Sequence, residues 1–359
     1  MPSFLMTSGM TRSLSCIARS LPACLFIGHL ATAPASAQSP APFYAGKEIR
    51  LVVGFAPGGG ADTYARLISQ HLGRHIEGRP EVVVQHMPGA NSLTAANWIS
   101  AVAPKDGTVI GSIHSTVAIE PIYGSERARF DVAKFTWLGS ASTDYGVMLT
   151  WGPSATKSWR DAQLRETPMG GMGPGAAADV ATAMANRFLG TQFKVVSGYR
   201  GTNDIVLAME RGEVEGIGSW TWSALAATRP NWIAEKKVNV LMQVSIEPHP
   251  ELTKQGVPAI LDLVASDRDR LAIELGLVFL SVGRPFVAPP EMPPERVATL
   301  RAAFAAMLKD AAFLDEAKNR KIEVANPKTG EELDRMFRRL LDTPRPIVDQ
   351  VVQLQNGTK

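Results

Sequence analysis

The chain has 359 residues, with 37 Lys and Arg against 34 Asp and Glu, a formal charge of +3. Hydrophobic residues make up 45% and charged residues 20%, an ordinary globular balance. This excludes a disordered tail protein, a collagen, a polytopic membrane protein and a nucleic-acid binder built on a basic block.

The N-terminus reads as an export signal. Arg12 and Arg19 precede the apolar run Leu21–Ala31, which is too short to cross a bilayer. Ala35-Ser36-Ala37 then offers a small-residue cleavage site. Residues 1–37 are therefore expected to be removed, leaving a mature protein that starts at Gln38 in the periplasm. Two alternatives are a lipobox at Leu21-Pro22-Ala23-Cys24 and a buried N-terminal helix. No apolar run precedes Leu21, and APASAQSPAP reads as a flexible junction. Both cysteines, Cys16 and Cys24, fall in the removed part, so the mature chain is expected to have no disulfide and no thiolate chemistry. What remains is roughly 320 residues, room for about two domains, with no apolar run of membrane-spanning length.

Ile49–Phe55 is β-branched and apolar, a strand buried on both faces. Pro57-Gly58-Gly59-Gly60 breaks it, and Asp62–Ile76 follows with Tyr64, Ile68, Leu72 and Ile76 on one helical stripe. Val82–Val84 is a second strand, a helix then carries Leu93, Ala96 and Trp98, and Thr108–Ile113 is a third strand. Such alternation predicts a parallel α/β sheet. A second set begins with the glycine loop Gly170–Gly175, then a helix over Asp179–Leu189, a strand Phe193–Val196, a helix Ile205–Arg211 and a strand Val214–Gly218. Further on come a strand Val240–Val244, an apolar run Leu275–Val282 and a helix Pro294–Asp310. The capping box Thr329-x-x-Glu332 opens a helix through Leu341, stopped by Pro344 and Pro346. One echo stands out: the glycine loop before Ala61-Asp62 resembles the one before Ala178-Asp179, and Asp62 and Asp179 are plausible N-caps.

A helix N-terminus carries unpaired N–H groups and the positive end of the helix dipole, so it accepts carboxylate or phosphate. Glycine lets the anion approach the backbone. The loops Pro57–Ala61 and Gly173–Ala177 both have this form, although a single such loop is equally a tight βα turn. Nucleotide and hydrolase motifs fail: there is no G-x-x-x-x-G-K, no G-x-G-x-x-G and no G-x-S-x-G. His71 and His75 share a helix face, read here as solvated, and no cofactor or metal is expected. Ser219-Trp220-Thr221-Trp222 follows a strand, and extended backbone would put both indoles on one face, lining a cleft or filling the core.

IRLVVGFAPGGGADTYARLISQHLG, VVVQHMPGANSLTAA and APKDGTVIGS, together with the exported start, resemble the Bug family, the TctC-like extracytoplasmic receptors of tripartite tricarboxylate transporters. The family's P-G-G-x-x-D matches Pro57–Asp62, its P-G-A turn matches Pro88-Gly89-Ala90, its T-H-A-I-N-P matches Thr116–Pro121, and its P-Y-K-G matches Gly198-Tyr199-Arg200-Gly201. The family's P-D-G-Y-T is loosened here, with Lys105 inserted. The match covers nearly the whole mature chain and loosens after about Asp144. It implies an α/β type II periplasmic-binding-protein fold, two parallel-sheet lobes joined by two crossover strands, closing over a small carboxylate. An Asp common near the end of the second-lobe strand is replaced by Ser219, and Trp220 and Trp222 stand where smaller residues are usual, so no one relative's ligand carries over.

The expected division is 1–37 signal peptide, 38–145 first part of lobe one, 146–243 lobe two, and 244–359 the return to lobe one with C-terminal helices. The expected ligand-binding residues are Phe55, Ala56, Gly58, Gly59, Gly60, Ala61, Asp62, Gly89, Ala90, Thr116, Gly173, Pro174, Gly175, Ala176, Tyr199, Ser219 and Trp220. The expected partners are a small organic carboxylate, held between the two glycine loops, and the membrane permease subunits of a tripartite transporter, with no nucleic acid; a monomer is expected. A receptor that signals to a sensor kinase, and a secreted enzyme on the same fold, are the alternatives.

Overall fold

The computed structural model describes residues 42–357; the signal peptide and its cleavage point lie outside the described residues. Two sheets organise the chain. The first has six strands in the order β11-β4-β10-β3-β1-β2, and the second has five in the order β7-β6-β8-β5-β9. The first is built from β1 (Glu48–Val53), β2 (Glu81–His86), β3 (Val109–Ser112), β4 (Thr136–Ser140), β10 (Pro285–Ala288) and β11 (Lys328–Thr329). The second is built from β5 (Gly146–Trp151), β6 (Thr167–Gly170), β7 (Phe193–Val196), β8 (Gly216–Thr221) and β9 (Val238–Val244).

The alternation read in the sequence gives the parallel parts. β1 lies between β2 and β3, with Leu51 opposite Val84 on one side and Ile110 on the other. Leu51, Val52 and Val53 are fully buried, each stabilising the fold by about 2 kcal/mol. The sheets are mixed rather than wholly parallel: β10 runs antiparallel to β3 and β4, and β5 antiparallel to β8 and β9. The reason is connectivity. The chain leaves the first sheet through 141–145 and returns through 245–284, so strands flanking each passage run against their neighbours. The first passage is short; the second contains the helix Asp267–Ser281.

Helices cover the sheets where their apolar stripes predict. The helix Gly60–Leu72 buries Tyr64, Leu67, Ile68 and Leu72. The helix Ala177–Leu189 lies so close to β8 that a Cβ on Gly218 would overlap the Ala178 carbonyl and the Thr182 hydroxyl. The capping box is formed: Thr329 Oγ1 accepts from the Glu332 N–H at 3.2 Å, and Glu332 accepts from the Thr329 N–H at 2.7 Å. The helix it opens, Gly330–Leu341, stacks Phe337 on Trp137 with centroids 4.4 Å apart.

Several local expectations are corrected. Pro344 and Pro346 not only follow one helix but open another, Arg345–Gln355, with Pro344 as N-cap, where a ring-fixed φ suits the first turn. That helix buries Ile347, Val348 and Val351 in the core that also holds Met184 of the helix Ala177–Leu189. His71 and His75 are not a solvated face. His71 is 1% exposed and meets Glu316 at 2.6 Å, while His75 meets Asp310 at 3.1 Å; both carboxylates come from the neighbourhood of the helix Ala311–Asn319.

Candidate functional site

The first glycine loop ends β1 and opens the helix Gly60–Leu72. Gly59 is the N-cap and no side chain caps the helix, so its first-turn N–H groups remain available. Asp62 stands at the third helical position rather than at the N-cap. It reaches back to accept from the Gly58 N–H at 2.8 Å and is met by Arg66 at 3.0 Å and His86 Nε2 at 3.1 Å. The other ring nitrogen of His86 lies 2.9 Å from the Phe55 carbonyl. Burial pushes the Asp62 carboxyl up, but the Gly58 N–H, Arg66 and His86 outweigh it and hold it below the usual carboxylate range.

Gly58 needs its residue type for backbone reasons, with φ +87°. Gly59 and Gly60 do not. Gly59 has φ −88°, and a Cβ on either would meet nothing within 4 Å. Neither conformation nor packing demands glycine there. Both line a cavity of about 260 Å³ with Phe55, Ala61, Ser112, His114, Ser115 and Arg284. His114 Nδ1 accepts from the Thr116 N–H at 3.1 Å and stands 2.7 Å from Thr116 Oγ1. This makes Nε2 the protonated nitrogen of a neutral ring. Burial lowers its pKa from 6.5, and Arg284 lowers it further.

The second glycine loop opens the helix Ala177–Leu189, whose N-cap is Ala176 and which also has no side-chain cap. Asp179, again at the third position and not the N-cap, accepts from the N–H groups of Met172 at 2.8 Å and Gly173 at 3.2 Å and from Ser197 at 3.1 Å. Gly173 and Gly175 have φ of +124° and +80°, so backbone geometry accounts for them. Next to this loop lies a cavity of about 670 Å³, lined by Met172, Ala177, Gly201, Thr202, Ser219, Trp220 and Leu280 among others. It adjoins a second uncapped N-terminus, that of the helix Thr202–Glu210.

The expected residues thus fall into groups. Phe55, Gly59, Gly60 and Ala61 line the first cavity, and Ser219 and Trp220 the second. Ala56 and Gly58 are exposed on the first loop. Gly89 and Ala90 belong to a run of positive φ from Gly89 to Ser92, joined to Thr116 through Asn91 Nδ2 at 3.1 Å. Tyr199 packs against the core beside the second sheet. Gly173, Gly175 and Ala176 lie outside both lining sets. Pro174 lines a third cavity, about 930 Å³, between β7 and the C-terminal helix. That space is the largest of the three, but only Pro174 and Asp179 tie it to a glycine loop.

The two tryptophans separate. Trp220 is the fifth residue of β8, but Thr221 caps a helix that Trp222 begins, so they do not share an extended face. Trp220 is 6% exposed and meets Trp232 edge-on at 6.2 Å, while Trp222 leans on His249 at 6.0 Å. Trp220 therefore fills core and bounds the cavity at once.

Arg284 is absent from the expected set. It is the sole charged residue in the apolar segment from Leu275 to Pro290, and that isolation is the signal that marks it. Leu280 lines the second cavity and Arg284 the first. Four residues span at most about 14 Å, so one short stretch of chain reaches both cavities. Among the described residues, no three His, Cys, Asp or Glu gather as a metal site, and no helix is long and apolar enough to cross a membrane.

The fold is the two-lobed one of periplasmic binding proteins. A TctC solute-binding protein from Polaromonas shares the shape, with TM-score 0.68 and 18% identity over 86% of this chain and 99% of that one. MatC from Rhodopseudomonas palustris, solved with bound malate, has TM-score 0.52 and 20% identity over 86% and 99%. An R. palustris protein solved with adipate has TM-score 0.53 and 19% identity over 86% and 97%. In sequence, the chain is 22% identical to a UPF0065 protein of Bordetella pertussis over 336 residues, 90% of this chain and 96% of the relative. It is 28% identical over 226 residues to a UPF0065 protein of a Pseudomonas strain, 60% of this chain and 63% of the relative. No family model matches. These relatives and neighbours support the Bug and TctC resemblance read from the residues.

Proposed function

We propose that the protein is a periplasmic receptor that captures a small organic carboxylate and hands it to the permease subunits of a tripartite tricarboxylate-type transporter. The observation that carries this reading is the pair Gly59 and Gly60. They sit at an uncapped helix N-terminus, line a cavity, and are glycine without a conformational or packing need. A side chain would occupy the space that an anion needs to reach the N–H groups. The resemblance to proteins solved with malate and adipate supports the same class of ligand. In this reading the ligand carboxylate lies by the loop Pro57–Ala61, the second glycine-loop helix closes on it from the other lobe, and Trp220 borders the rest. The protein binds and releases its ligand without changing it.

A thermal-shift screen of small carboxylates tests this. A ligand that binds only the folded state stabilises it by about 2.7 kcal/mol at one hundred times its Kd. At least one of succinate, malate, adipate, hexanoate or benzoate should raise the melting temperature, in proportion to the logarithm of its concentration. No rise with any organic acid at millimolar concentration contradicts the reading.

A further inference from the structure

The receptor reading leaves open which groups recognise the charge and how many charges the ligand carries. Arg284 is the one Lys or Arg lining the first cavity. Its Nη1 donates to the Gly283 carbonyl at 2.6 Å and lies 3.7 Å from Asp144, beyond hydrogen-bond reach. Among the described residues no other hydrogen bond of this guanidinium is formed, so most of its donor fork is unspent. The side chain is 38% exposed, and the ring of Tyr64 supports it at 5.1 Å. Ser112 and Ser115 line the same cavity at 6% and 8% exposure, and neither hydroxyl has a partner among the described residues. Both hydroxyls open onto the cavity, and each can donate to an anion seated there.

The second cavity differs. Its one cation, Arg200, is held by Asp204 at 3.0 Å, and both line it. Charge there is already balanced. Met172, Trp220 and Leu280 give it apolar wall.

We propose that Arg284 sets the ligand's charge, and that the ligand is an acid with one carboxylate and an uncharged, apolar body. This rests on the receptor reading above. The carboxylate oxygens lie against the guanidinium fork, the open N–H groups at Gly60 and Ala61, and the hydroxyls of Ser112 and Ser115. The body extends past Leu280 toward Trp220. A planar fork matches a carboxylate in two parallel hydrogen bonds, which an ammonium does not reproduce.

Calorimetric titration of the mature protein with hexanoate, phenylacetate, adipate and hexanamide tests this. A monoacid should bind more tightly than adipate, and hexanamide about 100-fold more weakly than hexanoate, because a neutral amide cannot accept two charge-assisted hydrogen bonds from the guanidinium fork. Arg284→Gln should weaken monoacid binding about 100-fold, and Arg284→Lys about tenfold, with unchanged circular dichroism. If the Gln variant does not fold, the Lys variant carries the test alone. Native affinity in either folded variant overturns the role of Arg284 while leaving the receptor reading intact. Adipate binding at least as tightly as both monoacids overturns the single charge. Failure of every acid to bind the native protein overturns the receptor reading and this inference with it.

Discussion

The helices Gly60–Leu72 and Ala177–Leu189 start on one plan. Each follows a glycine loop, lacks a side-chain cap and carries Ala-Asp at its second and third positions. They differ in what the aspartate holds. Asp62 is 4% exposed and faces Arg66 and the His86 ring besides the Gly58 N–H, so the Arg66 guanidinium offsets its charge. Asp179 has no cation among the described residues and takes two N–H groups of its own loop, those of Met172 and Gly173, where Asp62 takes one. The glycines differ in the same sense. Gly59 and Gly60 leave space, whereas Gly173 and Gly175 serve positive φ. On the receptor reading proposed above, the same local pattern serves as an anion seat in one lobe and a braced wall in the other.

Removing each aspartate is the strongest way to test that contrast. Asp62→Ala removes the acceptor of the Gly58 N–H and leaves the mostly buried His86 ring without its carboxylate partner, and should cost about 2–3 kcal/mol in urea denaturation. Asp179→Ala loses hydrogen bonds from more accessible donors and should cost about 1 kcal/mol. Equal losses would erase the distinction. On a similar scale, Gly175→Ala should cost about 1 kcal/mol for its positive φ, whereas Gly60→Ala should cost less than that and act on ligand binding instead. The reverse order would contradict the assignment of the two loops.

The smallest effect is a titration. His114 has its folded pKa below the unfolded value of 6.5, first through burial and then through Arg284. The unfolded chain therefore binds the proton more readily, and this group's contribution to stability is lost as pH falls through 6.5 toward the folded pKa. Proton NMR should place the His114 midpoint below 6.5. In Arg284→Gln it should rise while staying below 6.5, because burial is the larger cause. A midpoint that ignores Arg284 would separate the two residues.

Much of the first lobe is legible in the sequence because periodicity there is strong. β1 to β3 and the helix Gly60–Leu72 follow from β-branched runs and a helical apolar stripe, and the capping box at Thr329 from its spacing. The two loops resemble each other on sight, yet their difference is not legible, since Asp62 draws Arg66 from its own helix but His86 from β2, across the fold. Arg284 escapes because it lies between the apolar run Leu275–Val282 and the helix Pro294–Asp310, where no element is read, while in the structure β10 begins at Pro285 and inserts between β3 and β4. That antiparallel return is set by tertiary pairing and leaves only four residues of local signal. Trp222 departs from its expected face for a related reason: nothing local in Ser219–Trp222 announces that Thr221 ends a strand and starts a helix.

Titrating the best acid of the thermal-shift screen into Gly59→Val tests the central claim most directly. The valine Cβ meets open space and φ is −88°, so the variant should fold with a melting temperature close to that of the native protein. Its side chain fills the approach to the N–H groups, and affinity should fall at least about 100-fold, the loss of a charge-assisted contact set worth roughly 3 kcal/mol. A folded Gly59→Val protein that binds the acid with native affinity would contradict the account.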